Sequence, residues 1–280
     1  LYVTTQQWQQ ARAVTQHAIR LANRGHAEDI GYRWQWQLGK IYQRQDQKRR
    51  AIATYTQAIK TLSSVRADLL ATSSELQFSI REKVEPLYRD LVSLLLEPET
   101  ADPKALQQSL HLIEDLQLVE LENYFRSACI DTQSKQIDQI DPQAAVIYPI
   151  ILSDRLEVVL ALPNQPLSHY RTKIPNADLE NTLDQFFVAF NPVLPERRRL
   201  QFSQQLYDWL VRPAEANLAQ HHIQTLVFVP DGKLRNIPMA ALHDGQQYLI
   251  ENYGVALTPG LELMGPHFAP AQPQIGRAHV

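Results

Sequence analysis

The residues best placed to do chemistry in this sequence lie where a short apolar strand ends. Residues 226–229 (LVFV) are apolar, and they stop at Pro230, Asp231 and Gly232. Ligands of open α/β sheets bind in the crevice outside the carboxyl ends of the strands. Asp231 and the nearby Arg235 are therefore candidates for shaping a substrate pocket at this strand end.

The same residues also have a simpler interpretation as a turn. Asp231-Gly232 and Asp244-Gly245 are both Asp-Gly pairs flanked by apolar residues, a combination typical of tight turns. Two such pairs in one segment favour a turn over a catalytic Asp231. We therefore assign no catalytic residue and keep Asp231 and Arg235 as pocket candidates only.

Nucleophilic and metal chemistry have few candidate residues. The single cysteine, Cys129, extends the apolar face of a predicted helix, so burial is favoured over a reactive thiolate. His221 and His222 are adjacent and have no nearby carboxylate, which favours a helix end over a metal site. The sequence contains no zinc-protease, nucleophile-elbow, P-loop or dinucleotide-binding motif. We expect no metal and no cofactor.

Charge and composition bear on the class of protein and its location. The 280 residues carry a net charge of −3, which gives no electrostatic footprint for nucleic acid. Three charged residues interrupt the longest apolar stretch, 144–162, well before it reaches the length of a membrane span. A single cysteine favours a reducing compartment, and the first residues do not have the pattern of a signal peptide. We expect a cytoplasmic protein with neither membrane nor nucleic-acid partners.

The first half of the sequence has helical periodicity, and residues 32–64 resemble a tetratricopeptide (TPR) repeat. In such repeats small residues let two antiparallel helices approach closely, and large residues fill the gap between them. The residues that carry the resemblance are Leu38, Gly39, Tyr42, Ala51, Tyr55 and Ala58. The pattern departs from the family at the tryptophan position and at the terminal proline position, which is Ser63. Such repeats occur in arrays, so we expect further repeats upstream.

The TPR resemblance implies a groove that binds protein or peptide partners. The residues that would line this groove are Arg33, Trp36, Lys40 and Gln43. An equally weighted alternative is that the repeat only packs against the next domain, because a fold alone does not place a ligand.

The second half alternates apolar strands with amphipathic helices. Residues 144–152 and 156–162 predict a hairpin, two helices follow at 178–190 and 196–211, and a last strand covers 253–257. Short apolar strands indicate an α/β sheet that is covered on both faces. The predicted fold class is therefore α + α/β, with TPR-like antiparallel helix pairs before the first part of a sheet domain.

Three segments of this half resemble the CHAT family, the caspase-like domain found behind TPR repeats, especially in cyanobacteria. They are AAVIYPIILSDRLEVVLALP (144–163), LYDWLVRP (206–213) and TLVFVPDGKLRNIPMAAL (225–242). The resemblance implies a caspase- or separase-class cysteine peptidase, in which a histidine activates a cysteine thiolate. In the family both residues follow later strands, so neither carries over here, and we expect this piece to be inactive. The alternative is a non-catalytic TPR scaffold or interaction module.

The sequence predicts the following division of the chain. Residues 1–130 form a TPR-like helical region, 131–143 a linker, 144–268 a partial caspase-like CHAT domain, and 269–280 an unstructured tail. Both ends look cut, and the last six residues, IGRAHV (275–280), can be back-translated to the start of a common sequencing adapter. We expect these six residues to be an artefact, the native fragment to end near Gln274, and the downstream part of the natural sequence to be missing.

Overall fold

The computed structural model describes residues 7–72, 83–98, 102–125, 141–191 and 195–260. Cys129, most of the predicted linker 131–143 and the whole tail 269–280 lie outside these ranges. The helices are α1 (Trp8–Arg24), α2 (Glu28–Arg44), α3 (Lys48–Thr72), α4 (Glu85–Leu95), α5 (Pro103–Phe125), α6 (Asn176–Val188), α7 (Glu196–Leu210), α8 (Glu215–Gln220) and α9 (Leu249–Asn252). The strands are β1 (Ala144–Ile151), β2 (Leu156–Ala161), β3 (Ser168–Thr172), β4 (Thr225–Phe228) and β5 (Gly254–Leu257).

The first three helices pack as consecutive neighbours, α1 on α2 and α2 on α3. Short connections such as 25–27 and 45–47 place successive helices side by side and antiparallel. The packing between α2 and α3 is close because Gly39 faces the ring of Tyr55. A Cβ atom added at Gly39 would lie 2.3 Å from that ring. The small-against-large pairing expected from the sequence is therefore present.

The five strands form one mixed sheet in the order β3-β2-β1-β4-β5. The predicted hairpin is confirmed: β1 and β2 are antiparallel, and the Leu152 N–H donates to the Arg155 carbonyl across the turn. The short strand β3 was not predicted. Its sequence, SHYRT, lacks the apolar alternation of a strand, and it is held by pairing with β2 at the edge of the sheet.

Strands β1, β4 and β5 run parallel, and their carboxyl ends form the edge of the sheet where a site is expected. β4 pairs with β1 on one side and β5 on the other, with Ile147, Phe228 and Leu257 in register. The carboxyl ends of these strands therefore lie along the same edge of the sheet. The segment after β4, which begins at Pro230, leaves the sheet at this edge.

Both faces of the sheet are covered, as predicted, but by different helices. Val146, Tyr148 and Ile150 of β1 belong to a core cluster with residues of α2 to α5. The residues that alternate with them, such as Ala145 and Ile147, belong to a second cluster with α6, α7 and α8. All eight residues of β1 are buried. The helical region and the sheet therefore share one core, although the sequence divides them. Within the described ranges no helix is both long and apolar enough to cross a membrane.

The contact between Gly39 and Tyr55 gives a stability prediction. Gly39→Ala overpacks the α2–α3 interface and should lower the free energy of unfolding by about 1–3 kcal/mol. The control is Gly31→Ala in the same helix, where the nearest atom to an added Cβ is 3.8 Å away. Because alanine has the higher helix propensity, this variant should gain up to about 1 kcal/mol. Urea denaturation measures both, and equal effects of the two variants would contradict the close packing.

Candidate functional site

Asp231 lies at the carboxyl end of the parallel strands, where the sequence places a candidate site. Its side chain is buried, and both carboxylate oxygens are occupied. Arg89 of α4 donates from Nη1 to Oδ2 at 2.8 Å and from Nη2 to Oδ1 at 3.0 Å. The Ile151 backbone N–H donates to Oδ2 at 2.9 Å. Asp231 thus joins a helix of the first half to the ends of β1 and β4.

The charges of this pair stabilise each other. Burial alone would raise the pKa of the Asp231 carboxyl, because it disfavours the charged form. The Arg89 charge, the hydrogen bonds from Arg89 and the Ile151 N–H outweigh that effect and hold the pKa below its usual range. Arg89 also forms an ion pair with Glu85, whose Oε1 atom lies 2.6 Å from the arginine Nε atom. The arginine is therefore bound by two carboxylates within a largely buried site.

The turn after β4 requires the glycine that the sequence supplies. Gly232 has φ of +51°, in the left-handed region, and an added Cβ would lie 3.3 Å from Cδ1 of Ile151. A 3₁₀ turn follows from Gly232 to Asn236 and buries Leu234. The second pair, Asp244-Gly245, also forms a tight turn, in which the Asp244 Oδ1 accepts the N–H groups of Gln246 and Gln247.

Arg235 lies on the outer side of the same turn. Its side chain is exposed, and Nε donates to the Pro230 carbonyl at 3.3 Å. Its charge also helps to lower the pKa of Asp231. Asp231 and Arg235 are therefore close in the structure, but the Asp231 carboxylate is directed at Arg89 and β1. The pocket role of the two residues stays a prediction.

The four predicted groove residues lie on α2, and two of them meet around an acid of α4. Trp36 Nε1 donates to Asp90 Oδ2 at 2.7 Å, and Lys40 Nζ lies 3.8 Å from the same oxygen. Lys40 also sits 3.8 Å from the centre of the Trp36 ring, a cation–π contact. Burial raises the pKa of Asp90, opposed by the Trp36 hydrogen bond and Lys40.

The other two predicted groove residues make separate contacts. Arg33 Nε donates to the Tyr32 hydroxyl at 3.2 Å, and Gln43 Oε1 accepts the Tyr55 hydroxyl at 2.8 Å. Both Arg33 and Gln43 are exposed. The face of α2 that carries these four residues, its inner face, is thus partly exposed and partly in contact with α4. A partner-binding groove and packing against the next domain both stay predictions.

The carboxyl end of α4 is held to the sheet by a second charged cluster. Arg155 Nη2 donates to the Ser93 carbonyl at 2.9 Å, and Arg171 Nη2 donates to the Leu96 carbonyl at 2.6 Å. Both arginines pair with Glu157, which is fully buried on β2. Cations are favoured at a helix carboxyl end, where carbonyl groups lack helical partners. Sequence reasoning missed this cluster and Arg89, because the contacts join residues far apart in the chain.

Two histidines of the described residues, His221 and His243, are held in local contacts. His243 Nδ1 accepts the Gly245 N–H at 3.0 Å, and its ring packs edge-on against Tyr248. His221 Nδ1 contacts the Asn217 carbonyl at 2.9 Å. Cys129 and His267 lie outside the described residues. Across the described ranges, no group of three or more His, Cys, Asp or Glu side chains has the arrangement of a metal site.

The fold and the strand-end segment define a class of protein. A sheet with parallel central strands, covered on both faces by helices and preceded by paired helices, is an α + α/β architecture. The family model described as CHAT domain matches residues 200–278. Residues 200–278 are therefore similar to the CHAT domain, in agreement with the sequence resemblance. A comparison with curated proteins gave no match.

The matched range has three further features. It begins within α7 rather than at Ala144, where the sequence resemblance starts. It includes the whole segment from β4 to β5, and with it Asp231 and Arg235. It also extends into residues 275–278, which the sequence led us to expect as adapter-derived.

The Arg89–Asp231 pair gives a stability prediction. Asp231→Asn leaves the guanidinium with one carboxylate instead of two and should lower the free energy of unfolding by about 3 kcal/mol, as for other broken buried pairs. The control is Asp208→Asn, which removes a half-exposed pair with Arg212 and should change stability by less than about 1 kcal/mol. Chemical denaturation measures both variants. Equal effects would show that the buried pair contributes no more than a surface pair.

The lowered pKa of Asp231 predicts how the difference in unfolding free energy between wild type and Asp231→Asn depends on pH. A carboxyl whose folded pKa lies below its unfolded value of about 3.9 stabilises the fold above that value. This stabilisation is lost as the pH falls through the folded pKa. The difference in unfolding free energy between wild type and Asp231→Asn should therefore be full at pH 6 and should shrink as the pH falls below about 4. A difference that stays constant over this range would contradict the charge-based account.

Proposed function

We propose that this chain is a fragment of a TPR-CHAT protein whose full-length form is a cysteine peptidase that cleaves proteins. The observation that carries the proposal is the CHAT match over residues 200–278, which includes β4, Asp231 and β5. The helices that precede the sheet act as the partner-binding part. The sheet supplies the start of the catalytic domain.

The chemistry of the complete enzyme depends on residues after β5. A cysteine thiolate attacks the carbonyl carbon of the scissile peptide bond, and a histidine acts as the general base. In the family these two residues follow strands that come later in the chain than residues 229–232 (VPDG). Of the described strands, β5 pairs with β4, and Leu257 is 49 % exposed. This exposed apolar strand supports the addition of further strands and helices of the catalytic domain beside it.

The partner-binding part of the proposal rests on the inner face of α2. Arg33 and Gln43 are exposed there, and the Trp36–Lys40 contact lies beside them. This face continues directly into the junction with α4 and the sheet. A bound partner would therefore contact the helix that holds the strand end through Arg89.

A second candidate function is a non-catalytic scaffold. Two sets of contacts favour it. His221 contacts a helix end and His243 a turn. The Trp36–Asp90 hydrogen bond occupies part of the predicted groove with a residue of the same chain. In a scaffold the partner-binding helices would carry the whole function. The rest of the CHAT domain in the full-length protein separates the two candidates.

The peptidase proposal is tested on the full-length protein. Its continuation should contain a histidine and a cysteine at the ends of later strands, and the protein should cleave members of a peptide library in the presence of its partner. Substituting that cysteine by alanine should abolish cleavage, and the 280-residue chain alone should show none. A continuation that lacks either residue, or cleavage that survives the cysteine substitution, would favour the scaffold.

A further inference from the structure

The charge of this protein is distributed unevenly along the chain. Residues 8–65, which form α1, α2 and most of α3, contain ten lysine and arginine residues and only three acids. The whole chain has 27 basic and 30 acidic residues, so the residues outside this segment carry an excess of acid. Such an asymmetry creates a positive electrostatic potential over the first three helices. A partner of negative charge is therefore favoured there.

Most of these ten cations are not neutralised by the rest of the protein. Among the residues that the structure describes, only Lys40 and Lys48 of the ten lie within ion-pair distance of a carboxylate. Lys40 Nζ is 3.8 Å from Asp90 Oδ2, and Lys48 Nζ is 3.1 Å from Glu97 Oε2. Asp90 lies in α4, and Glu97 follows that helix. The acids of the described residues therefore offset two of the ten positive charges, and both do so beside α4.

Three of the cations form a row along the inner face of α2. Arg33, Lys40 and Arg44 are spaced by seven and four residues, which places them on one side of the helix. Arg33 and Arg44 are exposed. The contacts of Arg33 are with the hydroxyl group and the ring of Tyr32, which carry no charge. This basic row therefore has an unpaired arginine at each end and the partly balanced Lys40 between them.

The spacing of the basic row fits an extended peptide better than a nucleic acid. Arg33 and Arg44 lie about 16 Å apart along the helix axis. An extended peptide rises about 3.3 Å per residue, so about five residues span the row. A phosphate backbone carries a negative charge at every nucleotide. It would therefore meet Asp90 and Glu97 beside the row, whereas a peptide can place its acids at the two arginines alone.

We propose that the basic row on α2 binds an acidic, extended segment of a protein partner. Carboxylates of this segment accept hydrogen bonds from Arg33 and Arg44, whose guanidinium groups present paired N–H donors. The middle of the segment passes Lys40. The inference rests on the proposed partner-binding function and adds the charge and the conformation of the partner segment.

Isothermal titration calorimetry on the 280-residue chain at low salt tests the proposal. The probe is a peptide of six glutamates with blocked ends, and the matched peptide of six glutamines keeps the length and removes the charge. The glutamate peptide should bind saturably, and the glutamine peptide at least about tenfold more weakly, since charge-assisted hydrogen bonds are lost. An oligothymidylate with six phosphates should bind more weakly than the glutamate peptide. Tighter binding of the oligonucleotide would overturn the inference in favour of nucleic acid.

Two double variants locate the binding. Arg33→Gln with Arg44→Gln should weaken binding of the glutamate peptide about tenfold, because two exposed ion pairs are lost. The matched control is Arg197→Gln with Arg198→Gln, which removes the same charge from exposed positions of α7 and should change binding less than about twofold. All four residues are exposed, so both variants should keep the fold, which circular dichroism checks.

Equal effects of the two double variants would show that binding follows net charge alone and would overturn the inference. Absence of saturable binding of the glutamate peptide, or equal binding of the glutamine peptide, would do the same. None of these measurements uses peptidase activity or a natural partner, so such a failure would leave the proposed function to its own test.

Discussion

The buried ion pair between Arg89 and Asp231 is the constraint on which the arrangement of this protein depends. It joins residues 142 positions apart and ties a helix of the first half to the edge where β1 and β4 end. Neighbouring residues of α4 serve two surfaces: Arg89 contacts the sheet, and Asp90 contacts Trp36 and Lys40 of α2. Helix α4 is therefore the structural connection between the predicted groove and the strand end.

The other end of α4 is held as firmly. Arg155, in the turn before β2, and Arg171 of β3 reach to its last carbonyl groups, and both form ion pairs with Glu157, which is fully buried. A buried carboxylate between two arginines is stable only because each charge is paired. With both ends bound and its apolar face in the shared core, α4 contacts both α2 and the sheet edge. The proposed partner-binding face and the CHAT segment therefore share this helix as a neighbour.

Much of the fold could be predicted from local patterns, whereas the site could not. The β1–β2 hairpin and the helix start at Asp102, whose Oδ1 accepts the Lys104 N–H at 3.1 Å, follow from residue types within a few positions. Strand β3 was missed because its sequence is polar and its pairing with β2 determines its conformation. Asp231 was recognised as notable, but its partner Arg89 has no local signal. Long-range ion pairs of this kind are fixed by packing, which a single sequence does not display.

Hydrogen exchange on the Arg89→Met variant tests the central claim most directly. If Arg89 joins the two halves, removing its charge should increase exchange in α4 and also in two distant segments, the end of β1 around Ile151 and the residues 229–236 that follow β4. The backbone N–H of Ile151 should respond most clearly, because it shares Asp231 Oδ2 with Arg89. Faster exchange confined to α4, with unchanged protection at Ile151 and in 229–236, would contradict the account.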